Sequence, residues 1–348
     1  MSGLNGFKKL IQTVDTHTGG QPTRTVVSGM PQCPGTNMSE KMLYMKDNYD
    51  DIREFLISEP RGAPNTSLAI LAEPTLSGAD AGVFYCESHG YMPMCGHNTI
   101  GVATMMVETG MVRVEEPETR IALETPAGMV NVTVSVKNGH AVSVSFLNVP
   151  ALVLMRNIET EFLGNKIRID VTYGGNIYAV VRAADLGIEI SPENVGALID
   201  AGLKIKEEVN KRYDITHPEK TYLKGVGLVQ IVDPVTKRDG GLISRNAVVY
   251  PPGEIDRSPC GTGTSGRLAL LFENGEMKPG ERLTNYSIIG SSFIGRINEI
   301  IDSYHGQRAI IPEITGNAHI TGYHTFVYEP GDNLSKGFRL FNLKSRKI

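Results

Sequence analysis

The chain has 348 residues, more than a typical single domain, and this length predicts two domains. A hydrophobic share of 41%, a charged share of 21% and a formal net charge of −4 are ordinary for a globular protein, and no basic stripe indicates nucleic-acid binding. No apolar run is long enough to span a bilayer, and residues 1–9 lack the apolar core of a signal peptide, so we expect a cytoplasmic protein.

Residues 1–150 contain mainly short apolar or alternating runs separated by turn residues, a pattern that predicts strands. The predicted strands cover residues 10–14, 23–27, 68–72, 81–86, 120–124, 130–136 and 141–147. The charges and the spacing of Met42 and Met45 predict an exposed helix over residues 37–51. The polar, Gly-rich turn at residues 15–20 either is structural or lines a site.

A second series of strands follows Asn148-Val149-Pro150, which we interpret as a domain boundary. These strands are predicted at residues 167–173, 177–182, 223–232, 247–250, 286–289, 293–297, 309–314 and 318–328. A helix is predicted to begin at Ser191, with Pro192 in its first position, and its apolar stripe indicates core packing. Because no low-complexity linker separates the halves, we expect them to pack directly and to hold a site in the cleft between them.

An internal repeat relates two cysteine segments with an offset of 165 residues, from Cys95 to Cys260. The pairs of identical residues are Cys95 and Cys260, Gly96 and Gly261, Thr99 and Thr264, Gly101 and Gly266, Glu108 and Glu273, and Gly110 and Gly275. Tyr85 and Tyr250 stand in the same register, ten residues before each cysteine. The repeat predicts two copies of one unit, each a strand, a loop and a cysteine at the start of a helix, the first helix ending at Gly110.

The chemistry expected of these two cysteines is that of activated thiols. Each stands before glycine at a predicted helix N-terminus, where free backbone N–H groups bind anions and lower a thiol pKa from about 8.5 toward neutrality. Two thiols on opposite faces of one carbon suggest stereoinversion, with backbone dipoles stabilising the charge that develops on a substrate carboxylate. No dinucleotide fingerprint, P-loop or Schiff-base lysine context is found, so no cofactor is expected.

The remaining candidate residues each have a plainer interpretation. Cys33 and Cys86 are bystanders, and a cysteine is often only a small buried hydrophobe. His97 could bind a substrate carboxylate or poise the thiol, or it could cap the helix. Asp256 could receive a substrate ammonium, or it could form an Asx turn or pair with its neighbouring arginine. A Cys-x-His metal half-site is a weak third interpretation, since no second pair at ligand spacing accompanies it.

Two motifs resemble the signatures of the proline racemase family. They are Met94-Cys95-Gly96-His97-Asn98-Thr99-Ile100-Gly101 and Asp256-Arg257-Ser258-Pro259-Cys260-Gly261-Thr262-Gly263-Thr264-Ser265. The resemblance covers nearly the whole chain and includes residues 15–20, 59–62, 174–176 and 314–316. The family contains proline racemases, 4-hydroxyproline 2-epimerases and 3-hydroxyproline dehydratases.

The resemblance implies an α+β fold similar to that of diaminopimelate epimerase, with two pseudo-symmetric halves, each a curved, mostly antiparallel sheet around a central helix, and the active site in the cleft between them. Because the C-terminal strand returns to the first half in this family, residues 1–150 and about 315–348 would form one half and residues 151–314 the other.

The resemblance also implies the site. Carried over by motif, the catalytic bases are Cys95 and Cys260. The substrate contacts fall on Gly96, His97, Asp256, Gly261 and Thr262. The expected partner is a small amino or imino acid, with no metal, cofactor, nucleic acid or membrane, and the oligomeric state is left open, a homodimer included.

The substrate follows less directly. Cys95 is intact, whereas the dehydratase branch has Ser or Thr there, so inversion is favoured over dehydration. In the proline racemases that the chain resembles, two phenylalanines form walls of the pocket for the substrate ring. This sequence has residues 65–68 (Asn-Thr-Ser-Leu) at the first of these places and Tyr250 at the second. Asn98 stands where many members of the family have glycine. We therefore favour 4-hydroxyproline over proline, and keep another amino acid, a 3-hydroxyproline dehydratase and a non-catalytic imino-acid-binding protein as alternatives.

Overall fold

The structure, a computed structural model, describes residues 10–88, 90–238, 240–329 and 331–339, so the segment examined for a signal peptide lies outside the described residues. The helices are α1 (Met38–Ile57), α2 (Gly96–Glu108), α3 (Ala183–Leu186), α4 (Val195–Arg212) and α5 (Gly261–Glu273). The strands are β1 (Leu10–Thr18), β2 (Gln21–Ser28), β3 (Ser67–Ala72), β4 (Ala81–Glu87), β5 (Gly90–Met92), β6 (Glu118–Thr125), β7 (Gly128–Lys137), β8 (His140–Leu147), β9 (Ala151–Phe162), β10 (Asn165–Tyr173), β11 (Ile177–Arg182), β12 (Leu228–Val232), β13 (Thr236–Arg238), β14 (Gly241–Tyr250), β15 (Glu254–Ile255), β16 (Arg282–Tyr286), β17 (Ser292–Tyr304), β18 (Gln307–Gly316) and β19 (Ala318–Val327).

The chain divides into two compact units. Unit 1 comprises Met1–Val144 with Asn317–Ile348, and unit 2 comprises Ser145–Gly316. The division into domains stays a prediction, with residues 1–150 and about 315–348 in one half and residues 151–314 in the other.

The sheet of unit 1 is built on β1, which pairs antiparallel with β19 on one side and with β2 on the other. From β2 onward the orientation alternates: β2 and β3 are parallel, β3 and β4 antiparallel, β4 and β6 parallel, and β6 and β7 antiparallel. Helix α1 connects β2 to β3, the hairpin β4–β5 precedes α2, and α2 leads to β6. The parallel pairs are therefore the ones that helices connect, as parallel strands require a crossover.

Unit 2 repeats this sequence of strand orientations. Strands β10 and β11 are antiparallel, β11 and β12 parallel, β12 and β14 antiparallel, β14 and β16 parallel, and β16 and β17 antiparallel. Helix α4 now occupies the place of α1, and the hairpin β14–β15 precedes α5. Strand β18 also pairs with both β17 and β9, and β9 pairs with β10, so the strands form a closed ring of neighbours. The predicted two copies of one unit are thus present in the topology.

Helices α2 and α5 are the central helices of the two units. Helix α2 packs on β1, β2, β3, β7 and β19, and α5 packs on β9, β10, β11, β17 and β18. Every residue from the first to the penultimate position of α2 is buried, and α5 is buried through Leu271. A helix that is apolar or small on every face is stable only when it is surrounded in this way.

Matched glycines bring the second turns of both central helices close to a strand. A Cβ on Gly101 would lie 2.6 Å from Thr16 Oγ1 of β1, and a Cβ on Gly266 would lie 2.5 Å from Thr172 Oγ1 of β10. Real Cβ atoms essentially never approach an oxygen so closely, so these positions of the repeat require glycine. The sequence repeat therefore reflects the packing of the helices as well as the position of the cysteines.

Two predicted strands differ from the structure, and one long strand of the structure was not predicted. Of the predicted strand 286–289 only Tyr286 lies in a strand, as the last residue of β16, because Ser287 and Ser291 bond to each other and close the turn between β16 and β17. Residues 223–227 form a loop in which the Gly225 N–H donates to the Ile215 carbonyl, so the strand begins only at Leu228. Strand β9 is not predicted at all.

The two predicted surface helices also begin or end elsewhere. Helix α1 continues six residues beyond its predicted end at residue 51 and buries Ile52, Phe55 and Leu56. At the predicted start of α4, Ser191 precedes a short 3-10 turn, Pro192–Asn194, and the α-helix itself begins at Val195. Its predicted stripe does pack in the core, with Leu198 and other apolar side chains buried.

Candidate active site

The first candidate base, Cys95, is the residue that precedes α2, directly after the β4–β5 hairpin. Its carbonyl accepts from the Thr99 backbone N–H at 3.0 Å and from Thr99 Oγ1 at 2.8 Å. The Tyr85 hydroxyl lies 2.9 Å from the same threonine oxygen. The repeated tyrosine and threonine therefore hold the first turn of the helix, while the thiol makes no capping bond to it.

His97 is a polar neighbour of this thiol, with 3.3 Å between Cys95 Sγ and His97 Nδ1. Burial lowers the pKa of His97 to about 3, so the ring is neutral at physiological pH. The Thr18 hydroxyl, at the end of β1, donates to the His97 carbonyl at 2.9 Å. The segment predicted as a turn at residues 15–20, of which residues 15–18 belong to β1, thus contacts the N-terminus of α2. A neutral His97 can form hydrogen bonds to the thiol or to a substrate.

Glu87 is a member of this cluster that the sequence did not indicate. Its carboxylate, the Cys95 sulfur and a ring nitrogen of His97 each supply one atom, and these atoms lie within 4.8 Å of one another. Burial raises the pKa of Glu87 to about 7, against a hydrogen bond from Ser67 Oγ at 3.3 Å that lowers it. A glutamate at the end of a strand is usually solvated, and no spacing connects it to the cysteine.

Asn98 belongs to the packing of unit 1. Its Oδ1 accepts from Thr23 Oγ1 at 2.6 Å, and its Nδ2 donates to Ser67 Oγ at 2.7 Å. The side chain is fully buried. Both ends of the amide are therefore bonded to strand residues, and the asparagine supports Ser67, which in turn donates to Glu87.

The second candidate base, Cys260, precedes α5 in a backbone conformation with a φ of 63°, which is unusual for a residue other than glycine. Its sulfur accepts from the Gly263 N–H at 3.4 Å and lies 3.3 Å from the Tyr178 hydroxyl. Strain of this kind is typical of functional positions. Here it turns the thiol toward the N–H groups of the helix that follows.

The expected fall in thiol pKa is wrong for Cys260. Burial, together with the nearby carboxylate of Asp256, raises the pKa of Cys260 to about 12, although Tyr178, Gly263 and Thr262 act in the opposite direction. The helix N-terminus stabilises a thiolate, but loss of water disfavours the charged form more strongly when the sulfur lies in an apolar cluster with Val232 and other residues.

Asp256 shapes the loop that leads to this cysteine. Its Oδ1 accepts from the Ser258 N–H at 2.8 Å, which is an Asx turn, and Ser258 Oγ accepts from the Cys260 N–H at 3.1 Å. The neighbouring Arg257 pairs with Glu254 at 3.1 Å. Of the plainer interpretations of Asp256, the Asx turn is therefore present, and a role toward substrate stays a prediction.

Thr262 and its neighbours surround the N-terminus of α5. The Tyr178 hydroxyl, from β11, lies 2.6 Å from Thr262 Oγ1, and Gly174 passes so close that a Cβ there would lie 2.3 Å from the Thr262 carbonyl. Gln230 of β12 lies beside Gly263, and both polar atoms of its buried amide have no hydrogen-bond partner among the described residues. Tyr178 and Gln230 were missed, because a strand residue in an apolar run is normally interpreted as core.

The structure thus brings the predicted residues together in two groups. Cys95, Gly96 and His97 lie at the mouth of α2 in unit 1. The other group lies at or before the mouth of α5 in unit 2 and comprises Asp256, Cys260, Gly261 and Thr262. Arg61, from the segment 59–62 that is part of the family resemblance, donates to the carbonyls of Phe55, Leu334 and Ser335.

Comparison with known proteins decides the family. The family model described as "Proline racemase" matches residues 13–339. The chain belongs to the proline racemase family. A proline racemase of Clostridioides difficile is 39% identical over 335 residues, covering 96% of this chain and 99% of that protein. A 4-hydroxyproline 2-epimerase of Streptosporangium roseum is 40% identical over 338 residues, with coverage of 96% and 99%.

A solved structure extends the similarity to the fold. The hydroxyproline epimerase of Agrobacterium vitis, crystallised with bound trans-4-hydroxy-L-proline, has a TM-score of 0.89 and 34% identity, and the match covers 96% of each chain. This confirms the predicted α+β fold of the diaminopimelate epimerase type. As a proline racemase family member the protein is an isomerase of the racemase and epimerase class. No helix among the described residues is long and apolar enough to cross a membrane.

Proposed function

We propose that the protein inverts the α-carbon of a proline-type amino acid, without a cofactor, by a two-base mechanism that uses Cys95 and Cys260. The observation that carries the proposal is the matched position of the two thiols, each directly before the buried central helix of its unit. A single base returns a proton to the face it came from, whereas two thiols on opposite faces invert the carbon. The proposal therefore requires both units to act on one substrate molecule.

The proton balance of the reaction is simple. One thiolate removes the α-proton and becomes a thiol, and the electron pair of the C–H bond passes into an enediolate of the substrate carboxylate. The other thiol then delivers its proton to the opposite face and becomes a thiolate. The raised pKa of Cys260 supports this residue as the resting thiol, so we assign the first proton abstraction to Cys95. After one turnover the two protonation states are exchanged.

The remaining candidates would bind the substrate. Backbone N–H groups at Gly96 and Gly261, each in the first position of its helix, are suited to a carboxylate and to the charge of the enediolate. His97, which is neutral, and the hydroxyl of Thr262 would add hydrogen bonds, and the carboxylate of Asp256 would receive the substrate ammonium. With Cys95, Cys260 and these contacts, the proposed site needs no cofactor to accept the electron pair of the broken C–H bond.

For the substrate we favour trans-4-hydroxy-L-proline, with L-proline second. The two named relatives have almost the same identity to this chain, so the residues that replace the ring-pocket phenylalanines carry the preference. Tyr250 adds a hydroxyl at the end of β14, and residues 65–68 are polar where an aromatic ring is expected. The intact Cys95 argues against a dehydratase, and intact thiols argue against a protein that only binds imino acids. A cytoplasmic location is part of the proposal.

Proton NMR in D2O tests the proposal directly. Loss of the α-proton signal is followed with trans-4-hydroxy-L-proline and with L-proline, for wild type, Cys95→Ser and Cys260→Ser. We expect faster exchange with the hydroxylated ring and a loss of about 10²–10⁴-fold in either variant. Cys33→Ser, which changes a half-buried thiol outside both clusters, is the matched control and should behave as wild type.

Other outcomes have distinct meanings. Exchange that persists at the wild-type rate in one of the two serine variants would refute the two-base mechanism. Absence of exchange with either ring, in a folded protein, would overturn the proline-type assignment, and tight binding without exchange would favour the binding protein. Formation of a dehydrated product from a 3-hydroxyproline would favour the dehydratase.

A further inference from the structure

We propose that Cys95, His97 and Glu87 form a binding site for a thiophilic divalent cation of the Zn²⁺ class, and that the bound cation blocks the thiol. Each of the three side chains offers one ligand atom, and the three atoms lie within 4.8 Å of one another. All three residues are buried and belong to unit 1. The Cys-x-His pair of the sequence thus gains a third ligand from Glu87, the last residue of β4.

The chemical types of the three ligands select the metal. Thiolate sulfur, imidazole nitrogen and carboxylate oxygen are the ligands that Zn²⁺ prefers, whereas Mg²⁺ and Ca²⁺ require oxygen. Three protein ligands leave the fourth tetrahedral position open for water or another small ligand. The cluster therefore matches zinc in composition.

The distances are close to those of a zinc site. With Zn–S of about 2.3 Å and Zn–N of about 2.0 Å in a tetrahedron, the sulfur and nitrogen ligands stand roughly 3.5 Å apart. Cys95 Sγ and His97 Nδ1 are 3.3 Å apart already. The carboxylate, within 4.8 Å of both, would need to approach by about an ångström, which a side-chain rotation of a glutamate provides.

Two further observations support a ligand at this place. His97 Nε2 is buried and has no hydrogen-bond partner among the described residues, so the ring retains a polar group that a ligand or its water could satisfy. Ser67 donates to Glu87 and itself accepts from Asn98, which orients the carboxylate from behind. Such outer hydrogen bonds are usual around metal ligands.

The other candidate base provides an internal comparison. The sulfur of Cys260 is contacted by the hydroxyls of Tyr178 and Thr262 and by a backbone N–H. In the part of the chain that the structure describes, the cluster with Glu87 is the one place where His, Cys and carboxylate atoms converge. The cation is therefore expected at one thiol and not at its repeat partner.

Binding would inhibit the reaction proposed above, and this consequence rests on the proposed function. The cation bonds to the Cys95 sulfur, which is the thiolate of the proposed resting enzyme, and any proton on the Glu87 carboxyl leaves to solvent as its oxygen binds the cation. The sulfur lone pair can then no longer accept the α-proton, and removal of the cation by a chelator restores the free thiolate. The site would make the enzyme reversibly sensitive to free zinc, without any redox change.

The experiment measures metal binding and exchange separately, on the full chain freed of metal by a chelator. Zn²⁺ affinity is measured by competition with a chromophoric chelator, and Co²⁺ is added to detect thiolate-to-metal charge-transfer absorption. We expect one Zn²⁺ per chain, a charge-transfer band that Cys95→Ser abolishes and Cys260→Ser retains, and an affinity about 10- to 100-fold lower in Glu87→Gln. Glu73→Gln, at an exposed carboxylate of the same unit, is the matched control.

The outcomes distinguish this proposal from the function. Equal Zn²⁺ affinity in wild type and Glu87→Gln, or a band that survives Cys95→Ser, overturns the metal site even if the enzyme is active. The expected binding pattern in a protein that exchanges no α-proton supports the site and refutes the proposed function instead. If circular dichroism shows that Glu87→Gln is unfolded, Ser67→Ala takes its place, with the same direction of change expected.

Discussion

At the scale of single residues, the two thiols differ more than the repeat suggests. Cys95 is accompanied by an imidazole and a carboxyl group, and Cys260 by two hydroxyls and a backbone N–H. Equivalent backbone positions thus carry different polar surroundings. A two-base enzyme has a reason for such asymmetry, because at any moment one thiol must hold a proton and the other must not.

The buried carboxyl of Glu87 makes a prediction about stability and pH. Below pH about 4.3 it is neutral in both the folded and unfolded chain; above this the unfolded chain ionises while the folded chain keeps the proton until pH about 7. Wild type should therefore lose stability as pH rises through this window, by about 3 kcal/mol more than Glu87→Gln, in urea unfolding.

The control for this prediction is Glu124, whose contribution to stability changes with pH in the opposite direction. Glu124 accepts from the backbone N–H groups of Thr75 and Leu76, and hydrogen bonds of this kind lower its pKa. Glu124→Gln should therefore destabilise the protein near neutral pH, and the difference should shrink in acid as the wild-type carboxylate is protonated. Identical pH dependence of Glu87→Gln and wild type would show that Glu87 is ionised in the folded state.

Tyr178 makes a prediction about the reactivity of Cys260. Its hydroxyl, 3.3 Å from the sulfur, lowers the thiol pKa against the effect of burial, so Tyr178→Phe should raise that pKa further. A hydrogen bond to a charged group contributes about 1.5–3 kcal/mol, so alkylation of Cys260 by iodoacetamide at a fixed alkaline pH should slow about tenfold or more. Mass spectrometry of the Cys260 peptide measures the rate.

The labelling experiment contains its own references. Alkylation of Cys95 in the same sample reports any general loosening of the fold. Tyr85→Phe removes a hydroxyl bonded to Thr99 at the start of α2 in unit 1 and should leave Cys260 labelling unchanged. Equal labelling of Cys260 in wild type and Tyr178→Phe would mean that the hydroxyl donates elsewhere, to Thr262.

At the scale of elements, each central helix is placed by a glycine against a threonine. We predict that Gly101→Ala destabilises the protein by about 1–3 kcal/mol, because the new Cβ would lie 2.6 Å from Thr16 Oγ1 and force β1 and α2 apart. Alanine favours a helix by about 1 kcal/mol over glycine, so the sign of the change is decided by packing. Chemical unfolding measures it.

Two variants test the cause of that loss. Gly196 lies in α4 with nothing within 4 Å of its ideal Cβ, so Gly196→Ala should stabilise by about 0.5–1 kcal/mol. The double variant Thr16→Ala with Gly101→Ala should recover most of the lost stability, since the clashing oxygen is gone. Failure of the double variant to recover would point to the next nearest side chains, Thr18 and Thr23, which lie 3.5 Å from the ideal Cβ.

Much of the arrangement of elements could be predicted from the sequence, because the repeat placed both central helices and the strands that precede them. Strand β9 was missed, since the run at residues 151–155 is apolar throughout and follows a Pro that was interpreted as a boundary. Residues 286–289 were assigned wrongly because Ile288 and Ile289 suggested a strand where two serines close a turn. The local pattern of apolar residues indicates which residues are buried, but it does not indicate which groups form hydrogen bonds with one another.

The candidate site was predictable only for residues that lie close together in the sequence. Cys95 and His97 lie two residues apart, and Asp256 shares one loop with Cys260. Glu87, Tyr178 and Gln230 reach the cysteines through folding alone, and the expected pKa of Cys260 was wrong because burial is a property of the folded chain. Their roles toward a substrate stay predictions.

At the scale of the whole molecule, the two-base proposal predicts where deuterium appears. Early in a reaction started with one enantiomer in D2O, the product should carry deuterium at the α-carbon, while the substrate that remains keeps its protium. A thiol that gives its proton to the far face is replenished from solvent, whereas the proton removed stays on the other thiol. Chiral chromatography with mass spectrometry separates the two pools; equal deuterium in both would indicate one base.

The pairing of β19 with β1 has a consequence for the order of folding during synthesis. The last strand of unit 1 leaves the ribosome only after all of unit 2, because Ser145–Gly316 lies between the two pieces of unit 1 in the chain. Unit 2 can therefore complete its core first, while β1 waits with one edge unpaired. A released chain that ends after residue 316 contains all of unit 2 but lacks β19, so it should protect Cys260 from alkylation while Cys95 stays more reactive than in the full chain.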